Sequence, residues 1–125
     1  MSFFFIDDAP AVGSVAFQAS ATSTSTTITC PSVQQYDVGV LIDFSSNGAS
    51  PASAVVPSGF TSLTTTTSGG YRGTASYKIF DGTESGTSLT GLSGSGFVSK
   101  ILLTFRPSSP ISAVSASTWL TELGT

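Results

Sequence analysis

The sequence predicts an all-β fold: one domain, a mostly antiparallel β-sandwich of the jelly-roll or immunoglobulin-like kind. Three observations predict it. Apolar and polar residues alternate with a period of two along several runs, as in half-buried strands. Glycines and prolines with turn chemistry separate those runs at short intervals. Only 9% of the residues are charged, against roughly 25% for an ordinary globular domain. The replacement is hydroxyl: 24 Ser and 18 Thr, 42 of 125 positions. Thr is a good strand former on a solvated face, and nine Phe argue against a disordered low-complexity chain. At 125 residues the chain suffices for one core without staples.

Taken in order, residues 1–20 read as an N-terminal arm with edge strands, and residues 21–125 as the sandwich domain with a C-terminal tail. Phe3, Phe4, Phe5 and Ile6 are apolar on both parities, so something must cover them. An edge strand packed on its own domain and an arm laid on a neighbouring subunit both satisfy that need. Val15 and Phe17 share a parity in a weak short strand, and Ala19 to Thr27 is of low complexity. A strand is expected over residues 25–30, stopped by Pro31, with Cys30 buried on the parity of Ile28 as a free thiol.

Tyr36 to Ser46 is the strand around which the rest is arranged. Val38, Val40, Ile42 and Phe44 fall on one parity, which predicts the buried face. Asp37, Gly39, Leu41 and Asp43 fall on the other, and Leu41 makes that face partly apolar, as in a central strand covered on both sides. A loop follows to Pro57, and Pro57-Ser58-Gly59-Phe60 forms a turn. Thr-rich sequence from Phe60 to Thr67 then meets the glycine turn Ser68-Gly69-Gly70 and the run Tyr71 to Ile79, a hairpin. Asp81-Gly82 turns the chain, Thr87 to Thr90 suggests a short strand, and Phe97 to Arg106 alternates as a second mostly buried strand closed by Pro107 and Pro110. In the tail, Ile111 to Ser117 suits a final strand, whereas Ala116, Trp119, Leu120 and Leu123 have helical spacing; strand followed by a loose turn is expected.

The residues point away from catalysis. There is no histidine, which removes the usual general base, triad member and metal ligand. Asp37 and Asp43 lie six residues apart on one strand, about 20 Å, too far for a glycosidase pair. Asp81 and Glu84 are few for a calcium shell, and a plain turn is expected there. Ser58 lacks the frame of a nucleophile elbow. No cofactor or metal is expected. The net charge is −3 and the four basic residues, Arg72, Lys78, Lys100 and Arg106, are scattered along the chain, so no nucleic-acid footprint is present. The single cysteine leaves no intrachain disulfide framework. MSFFFIDDAP lacks the basic start of a secretory signal, and no apolar run is long enough to span a bilayer, so synthesis in the cytoplasm without a membrane partner is expected. Tyr71, Tyr77 and Trp119 suit core or interface packing better than a sugar-stacking face.

From Ser25 to Arg106 the signatures run TTITCP, DVGVLIDFSS, PSGFTSL, GGYRGTASYKIFDG and FVSKILLTFR. This order resembles a family of phage and prophage structural modules. There a Thr-rich strand ends in Pro, and a Gly-Asp-led hydrophobic strand, a P-x-G-W/F turn, an R-x-x-x-h-Y-K strand and a last hydrophobic strand follow. The resemblance covers about two-thirds of the chain; Tyr36-Asp37 stands where Gly-Asp is common and Phe60 where Trp is common. It implies a β-sandwich on the virion surface, within tail fibres or head decorations. The short chain fits a capsid decoration (cement) protein, made in the host cytoplasm and carried on the capsid surface. Its expected partners are itself, in a closed homo-oligomer such as a trimer, and the major capsid protein or another virion component. Phe3, Phe4, Phe5, Ile6, Trp119, Leu120 and Leu123 are the expected subunit or capsid contacts. A tail-associated receptor- or glycan-binding protein is the alternative, suggested by the long polar loops at 45–57 and 81–96.

Overall fold

A computed structural model describes residues 14–46, 55–92 and 97–108. They form seven strands: β1 (Val15–Ser23), β2 (Ile28–Thr29), β3 (Val38–Ser46), β4 (Thr61–Ser68), β5 (Tyr71–Ile79), β6 (Ser88–Leu89) and β7 (Phe97–Pro107). The larger sheet has five strands in the order β1-β7-β3-β5-β4, and the smaller pairs β2 with β6. Every neighbouring pair is antiparallel. The expected all-β, mostly antiparallel architecture is therefore present, in two unequal layers, with β3 in the middle of the large sheet.

The turns form for the expected reasons. In Pro57-Ser58-Gly59-Phe60 the Phe60 N–H donates to the Pro57 carbonyl (3.1 Å), and Gly59 supplies the positive φ of 84° that the third residue of a type II turn needs. Gly69, at φ 56°, serves the β4–β5 hairpin in the same way. Other element bounds differ from expectation. β1 runs on to Ser23 through the low-complexity stretch, because its Ser and Thr find a partner strand in β7. Conversely, β2 shrinks to Ile28–Thr29, since its partner β6 is equally short. The expected tail strand and the arm from Phe3 to Ile6 lie outside the described residues.

Register assigns every side chain of the large sheet to one of two faces. Phe105, Val38 and Ile79 sit abreast on β7, β3 and β5, followed by Leu103, Val40 and Tyr77, and then by Ile101, Ile42 and Ala75. Between these rows, projecting the opposite way, come Thr104, Gly39 and Lys78, then Leu102, Leu41 and Ser76, then Lys100, Asp43 and Thr74. The second face bears the small layer. Ile28, Cys30, Val33, Leu41, Phe80, Leu92 and Leu102 form its core, with Ala21, Val55, Phe60 and Leu89 packed around it. Phe80 lies so close over Gly39 that a Cβ there would stand 2.6 Å from its Cε2. Cys30 is buried beside Ile28, as its parity predicts.

One expectation holds only in part. The β-branched parity of β3 was expected to be buried, and Val38 is, but farther along Ile42 and Phe44 are 40% and 38% exposed, while Leu41, Asp43 and Ser45 on the other parity are fully buried. On β7 likewise, Lys100, Leu102 and Thr104 are buried, whereas on the other parity Phe105 is buried and Ile101 and Leu103 only half so. The covering segments decide this. Residues 28–37 and 80–92 bring Ile28, Cys30, Val33, Phe80 and Leu92 onto the polar parity, and the charges there are paired.

Candidate functional site

The charged side chains of the sheet occur on one face only. All four basic residues of the chain project toward the small layer, three of them onto acids. Arg106 Nε and Nη2 donate to the two carboxylate oxygens of Asp37, each at 2.8 Å, a bidentate fork. Lys100 Nζ lies 3.6 Å from Asp43 Oδ1 with both side chains fully buried. Lys78 Nζ reaches Glu84 Oε1 at 2.8 Å. Arg72 donates to Thr67 Oγ1 at 3.3 Å, across to β4.

Each acid also holds backbone. Asp37 Oδ2 accepts the Gln34 N–H (2.8 Å), closing the turn that delivers β3 into the sheet. Asp43 Oδ2 accepts the Val55 N–H (3.3 Å), and Thr74 donates to the Val55 carbonyl (3.2 Å), so the two clasp the segment leading to β4. Glu84 Oε2 accepts the Asp81 and Gly82 N–H groups, both at 3.2 Å. The DGTE loop is thus the expected turn. Its carboxylate is committed to Lys78 and the backbone, and no metal-binding group of three or more acids or thiols occurs among the described residues.

Electrostatics follow from these contacts. Burial pushes the Asp37 carboxyl up, but the Arg106 hydrogen bonds and charge and the Gln34 N–H outweigh it and hold the group below its ordinary range. Burial, reinforced by the Glu84 charge and opposed by Lys78, raises the Cys30 thiol to about 11. At neutral pH Cys30 is therefore an unreactive protonated thiol.

The opposite face carries no charged residue among the described strand positions. Val38, Tyr77 and Phe105 are buried in it, but Phe17 is 56% exposed, Tyr71 55%, Ile42 40% and Phe44 38%. Phe17 meets Phe105 edge to face with ring centroids 5.9 Å apart, and Phe44 stacks on Tyr71 at the same distance. These pairs lie toward opposite ends of the sheet, with Ile42 and Ile101 between. Tyr77 is thus packed in the core, as its parity suggests, whereas Tyr71 on the same parity is exposed. Among the seven residues expected to make subunit or capsid contacts, Phe3, Phe4, Phe5, Ile6, Trp119, Leu120 and Leu123, all lie outside the described residues. The open face is the site that sequence reasoning missed, since its residues alternate just as core residues do.

No family model, curated protein or solved structure matches the chain. No helix among the described residues is long and apolar enough to cross a membrane, which says nothing of a β-barrel.

Proposed function

We propose that this protein is a non-catalytic structural component of a phage virion, a head decoration protein that works by being packed against other protein. The observation that carries this reading is the segregation of the large sheet into a face holding all the charge and a charge-free face with exposed aromatic and aliphatic side chains. Exposed large apolar side chains clustered on one uncharged face support an interaction site there. The low charge and high Ser/Thr content of the chain add support, since interface cores are depleted in charge. The phage assignment itself is supported by the motif resemblance between Ser25 and Arg106. Within it the Asp37–Arg106 fork ties the start of the Asp-led strand to the end of the last one.

Cosedimentation of the purified protein with intact phage heads and, separately, with tails tests the reading. Saturation of heads at a fixed ratio is expected. Binding to tails or to cell-surface glycan with no affinity for heads would replace decoration with host recognition.

A further inference from the structure

We propose that Lys100 and Asp43 become joined by a side-chain amide, a covalent cross-link between β7 and β3 that forms within the folded chain. The two residues stand directly opposite each other in the strand register. Both side chains are fully buried, with Lys100 Nζ 3.6 Å from Asp43 Oδ1. A buried ion pair loses in desolvation much of what it gains in attraction, and apolar residues of similar volume often hold a core as well. Condensation removes both buried charges and leaves an uncharged amide in their place.

The reaction needs no reagent beyond the two side chains. A proton passes from the Nζ ammonium to Asp43 Oδ1, a step that burial favours because charged forms lose their hydration there. The freed nitrogen lone pair attacks Cγ. As the C–N bond forms, a second proton leaves nitrogen for Oδ1, the Cγ–Oδ1 bond breaks and Oδ1 departs as water, with nothing oxidised or reduced. The surroundings suit these steps. The Val55 N–H donates at 3.3 Å to Oδ2, the oxygen that gains negative charge in the tetrahedral intermediate and remains as the amide carbonyl. Buried Thr74 holds the Val55 carbonyl at 3.2 Å and so keeps that donor's residue in place. Strand pairing keeps the amine and the carboxyl together, and oriented groups reach effective concentrations on the order of 10⁵ M or more. Exclusion of water then protects the product from hydrolysis.

Mass spectrometry of the purified full-length protein tests this. The expected intact mass is lower than that of the sequence by the mass of a water molecule. After denaturation and trypsin digestion, residues 1–72 are expected to stay joined to residues 79–125, because an acylated Lys100 is no longer a cleavage site and Arg106 is shielded by Pro107. Lys100→Arg and Asp43→Ala are each expected to restore the full mass and to release residues 79–100 as a separate peptide. Where either variant fails to fold, the peptide map of the parent protein decides alone. A full sequence mass with residues 79–100 released from the parent overturns the proposal. Loss of water with that peptide still released overturns it too, since the water then comes from another site, such as imide formation at Asp81-Gly82.

Discussion

At the scale of single residues, Tyr36 and Asp37 set the entry to β3. Tyr36 adopts φ 73°, the left-handed region, in a turn where its N–H donates to the Phe80 carbonyl at 2.8 Å. A non-glycine residue there costs roughly 1–2 kcal/mol. Tyr36→Gly is expected to raise stability by about 0.5–1 kcal/mol after allowing for the added freedom of the unfolded glycine, read as a higher urea midpoint at unchanged slope. Asp37 makes stability depend on acid. Its carboxyl titrates lower when folded than unfolded, so its contribution is intact above the ordinary carboxylate pKa of about 4 and fades as pH falls below it toward the folded value. Asp37→Asn is expected to weaken the protein at pH 7 and to flatten the acid limb of its stability profile. An acid limb as steep as the parent's would show that the fork does not set it.

At the scale of elements, the account turns on how β3 and β7 are matched. Asp37 and Asp43 are six residues apart, and so are Lys100 and Arg106. Antiparallel pairing sets both acids opposite both bases at once, with Asp43 directly across from Lys100 and Val38 across from Phe105. A slip of one residue between the strands would put the two acids on one face and the two bases on the other, so the two pairs fix the register. Breaking the buried pair by Lys100→Met leaves the Asp43 carboxylate without its cation, and a loss of about 3–5 kcal/mol is expected. Asp43→Asn together with Lys100→Met keeps an acceptor for the Val55 N–H and is expected to recover most of that loss in a double-mutant cycle. Equal losses for the single and the double change would mean that charge pairing at this site contributes nothing.

Strand positions, hairpin and turns were legible in the sequence, because period-two runs and Gly/Pro punctuation are local signals. The central place of β3 was legible as well, from Leu41 on its second parity. Which face is covered was not. Ile42 and Phe44 read as core by hydrophobicity, and only the covering segments, set by long-range packing of Phe80, Leu92 and Ile28, place the small layer on the other side. The matched spacings of Asp37/Asp43 and Lys100/Arg106 were the available cue to that face. They are visible only once the two strands are considered as a pair. The same cue would have exposed the candidate site, since paired charges on one parity leave the other parity free of charge.

At the scale of the whole molecule, the described residues form a sheet whose charged side chains face one small layer and whose charge-free face is buried at Val38, Tyr77 and Phe105 and exposed at Ile42 and Phe44. Among the described residues, the two-stranded ribbon and its flanking segments close one side of the five-stranded sheet. On the other side Val38, Tyr77 and Phe105 are buried while Phe17, Ile42, Phe44 and Tyr71 stay exposed, and burial of these exposed side chains against other protein is the role proposed for this face. The measurement that tests this most directly is the native mass of the unmodified protein by sedimentation equilibrium over a range of concentrations. The account predicts a closed oligomer, a fixed multiple of 12.6 kDa that dissociates only on dilution. A single-chain mass at every concentration would contradict it.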